Sequence, residues 1–132
     1  MNSWSMEYTI EADVDNCIVY EKIYGVWREE TARSYSEDFK QEVEPLIKKP
    51  WAKLVDLSNW KTASHEVVQI IGDQLAWCRE HNMVVSISII DNPVTYGQLM
   101  RMFAKGKTKK MSQTFRTIEE GRKALRQLGY NL

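Results

Sequence analysis

The 132-residue sequence contains little cysteine, proline or glycine, with two, three and six residues of these types. Cys17 and Cys78 form no paired motif, so the sequence indicates neither a disulfide framework nor a thiolate metal site. We expect both thiols to be buried as small hydrophobic groups. The scattered glycines exclude a glycine-rich phosphate loop. The longest apolar run, residues 83–90, is far shorter than the ~20 residues that cross a bilayer.

The sequence also lacks a net charge, because 18 basic residues balance 18 acidic ones. A dedicated nucleic-acid-binding protein is usually strongly basic, so we expect no nucleic-acid partner. The first residues have neither the basic region nor the apolar core of a secretory signal. We therefore expect a cytoplasmic protein without a transmembrane segment.

The charges are unevenly distributed along the chain. Residues 1–44 hold eleven acidic and four basic side chains, whereas residues 101–126 hold nine basic and two acidic ones. A molecule with two oppositely charged parts could orient a partner or associate with itself as a homodimer. The alternative is that both parts are ordinary solvated faces.

The first half of the chain predicts a hairpin followed by a helix. Residues 8–14 alternate between apolar and polar, and residues 17–24 are rich in β-branched side chains, with an Asp-Asn turn between them. Residues 28–49 change to a helical period of apolar positions. Pro45 lies inside that pattern, so we expect the helix to break just before it.

Three further strands are expected, at residues 51–57, 83–90 and 109–116. The second is a nearly continuous apolar run, which is typical of a strand buried on both faces of a parallel sheet. A loop is predicted over residues 58–62. The element order β-β-α-β-α-β-α-β-α then predicts a single-layer, mixed and mainly parallel sheet with helices packed on it, in one α/β domain over residues 1–132.

The helices between these strands begin with capping signals. Ser64 is expected to cap one helix. Thr95-Tyr-Gly-Gln98 and Thr117-Ile-Glu-Glu120 match the capping box, in which the first side chain bonds a free helix N–H and the last one bonds back. These signals place helix starts near residues 64, 95 and 117.

The element order, the strand Trp51-Ala-Lys-Leu-Val-Asp56-Leu and the helix start Phe115-Arg-Thr-Ile-Glu-Glu-Gly-Arg-Lys-Ala-Leu125 resemble the SpoIIAA-like proteins of the STAS superfamily, which also have a Sec14-like (lipid-transfer) likeness. The resemblance covers nearly the whole chain. It implies a non-enzymatic role, since STAS domains bind protein partners as anti-sigma-factor antagonists or as transporter and sensor modules. Some of them bind nucleotides or apolar small molecules.

The antagonist branch of that superfamily carries a phosphorylatable serine at the start of the helix that follows a strand ending in Asp-Leu-Ser. Asp56-Leu57-Ser58 matches this strand end. Counting forward without a gap puts His65 at the phosphoserine position and Ser64 at the preceding acid. The phosphoswitch is therefore not carried over, and Ser64 would occupy that position only if the loop slipped by one residue.

A binding site is expected beyond the carboxyl ends of the strands, where open α/β sheets hold their ligands. Helices that begin at Ser64 and Thr95 would direct free N–H groups there, which suits an anion; alternatively, these residues only cap their helices. A protein partner would contact this crevice and the helix at residues 95–105, whereas a small apolar or anionic ligand would need a pocket between them. The residues predicted to form the site are Asp56, Asn59, Trp60, Ser64, His65, Asp91, Tyr96, Met100, Arg101 and Phe103.

Catalysis has little support in the sequence. The two histidines, His65 and His81, are not joined by a Gly-x-Ser-x-Gly nucleophile motif. Cys78 and His81 are too few for a zinc site. We therefore expect no enzyme and no cofactor. The leading hypothesis is a regulatory protein-binding module, the alternative is a carrier or sensor of a small ligand, and a hydrolase using His65 is a distant third.

Overall fold

Five strands form one sheet in the computed structural model, which describes residues 7–132. β1 pairs antiparallel with β2, and every other neighbouring pair is parallel. The predicted mixed, mainly parallel sheet is therefore confirmed. In spatial order, which is also chain order, the strands are β1 (Tyr8–Asp13), β2 (Ile18–Trp27), β3 (Trp51–Ala63), β4 (Met83–Ile89) and β5 (Ser112–Phe115).

Helices cover both faces of this sheet. Three of them pack side by side on one face over the larger hydrophobic core, and the last packs alone on the other face over a smaller core. We call these the three-helix face and the one-helix face. The helices are α1 (Glu29–Val43), α2 (His65–Glu80), α3 (Pro93–Gly106) and α4 (Ile118–Gln127).

Local signals in the sequence placed several boundaries correctly. The Asp13 side chain accepts a hydrogen bond from the Asn16 N–H at 3.1 Å in the hairpin turn between β1 and β2. Helix α1 ends at Val43, and Pro45 lies in a short 3₁₀ turn that follows it. A proline has no N–H to donate and clashes with the preceding turn, so the α-helix cannot continue through it.

Two of the three predicted helix caps are confirmed. Ser64 Oγ accepts from the N–H of Val67 at 3.3 Å. Thr117 Oγ1 accepts from the N–H of Glu120 at 3.2 Å, and Glu120 Oε1 accepts from the N–H of Thr117 at 3.1 Å, which completes the capping box.

The third predicted cap is wrong, because α3 begins earlier than expected. Asn92 is the N-cap, and its side chain accepts from the N–H of Val94 at 2.9 Å. Pro93 follows in the first turn, where its missing N–H costs nothing. Gln98 does not bond back to Thr95, since its side chain is engaged with strand β3.

Strand β3 is longer than expected and includes the segment predicted as a loop. It extends to Ala63, and Asn59, Trp60 and Thr62 all pair with β2. Two register shifts interrupt this pairing. Polar residues dominate the extension because it lies at the end of the sheet, where only part of the strand is covered.

Candidate functional site

Two residues of β3 that were expected to share a crevice lie on opposite faces of the sheet. Asp56 is on the one-helix face, where it borders an open groove with Ile118 and Arg122 of α4. Its Oδ1 accepts from the N–H of Ser58 at 3.0 Å. Trp60 belongs to the core of the three-helix face. The expected juxtaposition of Asp56 and Trp60 is wrong, because a register shift in β3 between them changes the face on which later side chains lie.

His65 is also far from Asp56. Asp56 pairs with Lys22 and Ala63 pairs with Trp27, so five residues of β2, at ~3.3 Å each, separate the two positions by about 17 Å. His65 begins α2 on the exposed surface beyond Ala63. A carboxylate at Asp56 therefore cannot orient a base at His65, and the hydrolase hypothesis loses its supporting geometry.

An exposed surface with apolar side chains is found where the strands end. β2 and β3 are parallel and end together, with Trp27 paired to Ala63 next to the first turn of α2, and the hydrogen bonds of Gln98 to Ala63 hold α3 at the same place. Val26, Val94 and Tyr96 are there, with 61%, 65% and 44% of their surface exposed. Ser64 and His65 are exposed at the same side. We call these five residues the carboxyl-end surface.

Gln98 of α3 connects that helix to the end of β3 at this surface. Its Oε1 accepts from the Ala63 N–H at 3.1 Å, and its Nε2 donates to the Ala63 carbonyl at 2.7 Å and to Thr62 Oγ1 at 3.2 Å. The side chain is buried. It therefore fixes the first turns of α3 against the end of β3, one helical turn from Val94.

The remaining predicted site residues differ in their surroundings. Asn59, Asp91 and Arg101 are exposed, whereas Met100 is half-buried against the larger core. Phe103 is 2% exposed and meets Trp60 at an internal cavity. The ten residues are therefore not one crevice: some lie on the surface, and Trp60 and Phe103 lie inside.

The cavity that Trp60 and Phe103 share lies between the sheet and α2 and α3. Its volume is about 40 Å³, and almost all of its lining side chains are buried. A water molecule needs ~10–15 Å³ measured in this way, so there is room for only a few solvent-sized molecules. Neither an acyl chain nor a nucleotide fits this volume. We call it the internal chamber; its lining also includes Tyr35, Ser86 and Ser88.

A buried polar cluster adjoins the internal chamber, and the sequence analysis missed it. Lys53 Nζ lies 3.4 Å from Glu21 Oε2, with 6% and 0% of the two side chains exposed. The Tyr35 hydroxyl donates to Glu21 Oε1, and Gln74 Nε2 donates to the Tyr35 oxygen at 3.4 Å. The signal was present: Glu21 and Lys53 occupy inward positions in the alternation of their strands, between apolar neighbours.

Burial determines the protonation of two nearby groups. It raises the pKa of the Tyr35 hydroxyl well above its usual range, and the charge of Glu21 acts in the same direction. Tyr35 therefore keeps its proton, and its O–H donates a hydrogen bond to the Glu21 carboxylate. Burial also raises the pKa of the Cys78 thiol to about 12, which makes it unreactive. Cys78 is buried as expected, whereas Cys17 is half-buried.

The fold partly separates the two charged parts of the chain in space. The acidic residues belong mainly to β1, β2 and α1, at one edge of the sheet, whereas Lys109 and Lys110 immediately precede β5 at the other edge. Arg122 of α4 borders a groove with Glu11 of β1, so the basic side chains of α4 are not confined to the β5 edge. Four strand spacings of ~4.8 Å put about 19 Å between β1 and β5. The molecule therefore has an acidic edge and a basic edge.

Comparison with solved structures finds a protein of the same architecture. The crystal structure of an anti-sigma factor antagonist from Mycobacterium paratuberculosis matches with a TM-score of 0.60 over 91% of this chain and 95% of that chain, at 15% sequence identity. The two proteins therefore share a fold. The SpoIIAA-like, STAS-type fold implied by the resemblance is thus confirmed. No family model matches the sequence, and no curated protein matches it.

Neither a membrane-spanning helix nor a metal site is present in residues 7–132. No helix in this range combines the length and the apolar character that a membrane span requires. Within the same range, no three His, Cys, Asp or Glu side chains are grouped so that they could hold a metal ion.

Proposed function

We propose that this protein is a non-enzymatic regulatory module of the bacterial cytoplasm, and that it binds a protein partner through the carboxyl-end surface. The shared fold supports the proposal, because the structural neighbour is itself named for antagonism of an anti-sigma factor. The observation that supports it most strongly is the exposure of Val26, Val94 and Tyr96 at one side of the sheet. Exposed apolar side chains that are grouped and rimmed by polar groups are typical of interaction surfaces.

The polar residues of this surface suit a partner that is itself polar at its rim. Ser64 and His65 are exposed around the apolar side chains, and the first turn of α2 presents N–H groups beside them. Gln98 holds the surface rigid, so a partner would find it preformed.

Substitutions on this surface test the proposal. We expect Tyr96→Ala and Val94→Ser each to reduce partner capture about tenfold, equivalent to ~1.4 kcal/mol, since a truncated interface anchor typically costs at least that much. Val84→Ser is the matched control, because Val84 is 48% exposed at the opposite, amino end of β4. The measurement is quantitative affinity purification from the native bacterium. Equal capture by all four proteins would contradict the proposal.

A carrier or sensor of a small ligand is the alternative, and it has less support. Trp60 and Phe103 do line a cavity, but Tyr96 and Met100 are not part of its lining. Its small volume would require α2 and α3 to separate before anything larger than a few solvent molecules could enter.

We also propose that the acidic and basic edges allow weak self-association as a homodimer. Two copies can place acidic edge against basic edge, and such an interaction weakens as salt screens it. Sedimentation velocity should show dimer at low ionic strength and monomer at high ionic strength. Lys109→Glu/Lys110→Glu should remove the dimer, while Lys48→Glu/Lys49→Glu, which changes exposed lysines away from the basic edge, should have less effect. A monomer at every salt concentration would refute this part.

A further inference from the structure

The internal chamber has a polar side and an apolar side. Lys53 of β3 and Ser86 and Ser88 of β4 line it from the sheet, and Tyr35 lines it from α1. The rest of its wall is aliphatic and aromatic, and includes the ring of Trp60. Polar groups on the floor of a cavity inside a hydrophobic core need hydrogen-bonding partners, because they are out of reach of bulk water.

Two polar groups of this wall, and one beside it, have no hydrogen-bonding partner in the part of the chain that the structure describes. Among residues 7–132, Trp60 Nε1 and Ser86 Oγ are fully buried and make no hydrogen bond. Gln74 Oε1, in the side chain that bonds the Tyr35 hydroxyl, is also unpaired in that range. Native proteins leave few such atoms unpaired, since each one costs about 1–3 kcal/mol.

Lys53 adds further unused donors. Its ammonium group has three N–H bonds, and the structure gives it Glu21 Oε2 at 3.4 Å and the ring of Phe39 at 5.4 Å from Nζ to the centroid. This ion pair is not a hydrogen bond, because Glu21 Oε2 has no hydrogen-bond partner among residues 7–132. A guest in the chamber could accept from the N–H bonds of Lys53.

The hydrogen-bonding groups and charges that line the chamber determine which kind of small molecule it can bind. Trp60 Nε1 and Lys53 Nζ require acceptors, while Ser86 Oγ can donate or accept. Since Lys53 and Glu21 already balance each other, a further anion would leave a buried charge uncompensated. An apolar guest would leave the N–H groups unpaired. A small neutral molecule that both donates and accepts meets every requirement.

We propose that the internal chamber is a binding site for small neutral hydrogen-bonding molecules, occupied by two or three ordered waters that pair Trp60 Nε1, Ser86 Oγ and Lys53 Nζ. The number follows from the volume of about 40 Å³ and the ~10–15 Å³ that each water occupies. The core under α2 and α3 is therefore wet, although the side chains that surround it are mostly apolar.

Nuclear magnetic resonance of the intact protein tests this directly. Water held in the chamber should give a nuclear Overhauser effect to the indole N–H of Trp60. Trp51 provides the internal control, because its equally buried indole donates to the His81 carbonyl at 2.7 Å and needs no water. No water signal at Trp60, in a protein whose Trp51 resonance shows it to be folded, would overturn the proposal.

Crystal structures of the same protein, determined with and without xenon, provide an independent test of the water site. We expect two or three water peaks within hydrogen-bonding distance of Trp60 Nε1 and Ser86 Oγ, and no xenon in the chamber. Ser86→Ala should remove at least one peak and shift the Trp60 indole resonance. A dry chamber that takes up xenon, or density for a larger apolar molecule, would refute a water site.

Discussion

Lys53→Met is expected to lower the free energy of unfolding by about 3–5 kcal/mol, the range typical of breaking a buried ion pair. The substitution keeps most of the aliphatic stem but removes the positive charge that lies 3.4 Å from Glu21 Oε2. The Glu21 carboxylate is completely buried and would keep only the hydrogen bond from Tyr35. Urea denaturation followed by circular dichroism measures the loss.

Two controls separate this effect from a general sensitivity of β3. Lys61→Met changes an exposed lysine of the same strand and should alter stability by less than about 0.5 kcal/mol. The double variant Lys53→Met/Glu21→Gln removes both charges and keeps an acceptor for Tyr35, so it should recover more than half of the loss. A single variant as stable as the parent protein would show that the pair is not buried.

Leu125→Ala should destabilise the protein by about 2–5 kcal/mol, because it removes the central contact of the smaller core. Leu125 is 0% exposed and packs with Leu54, Ile87 and Ile89 of the sheet. α4 is the only helix among the described elements on that face, so no neighbouring helix can move to fill the space.

The same helix supplies the control for that prediction. Leu128 immediately follows α4 and has 54% of its surface exposed, so Leu128→Ala should cost less than about 0.5 kcal/mol. Thermal and urea denaturation of the two variants provide the comparison. Equal losses would mean that α4 does not pack on the sheet through Leu125.

The close packing of α4 on the sheet also depends on Gly121. A Cβ at that position would lie 2.6 Å from Ile89 Cδ1 and 3.1 Å from Ile87 Cγ2. The missing side chain therefore lets α4 approach the strands closely enough for Leu125 to be buried.

Several expectations concerning the site failed for one shared reason. Asp56 and Trp60 were grouped because both were expected at the carboxyl end of the strand predicted over residues 51–57, with Trp60 in the loop assigned to residues 58–62. Whether β3 stops or continues depends on the length of β2 beside it, and that pairing joins residues far apart in the chain. A register shift within the pairing then decides which face each later side chain occupies.

The sequence by itself determined the element order, the mixed parallel sheet, the break at Pro45 and the caps at Ser64 and Thr117. These features follow from short-range periodicity and from hydrogen bonds between residues a few positions apart, so residues close together in the sequence specify them. Only the tertiary structure decided that Glu21 meets Lys53, that Trp60 faces a chamber, and that Lys109 and Lys110 lie at the sheet edge opposite the acidic strand β1. Those arrangements follow from strand order, register and helix packing, since they are properties of segments brought together from distant parts of the sequence.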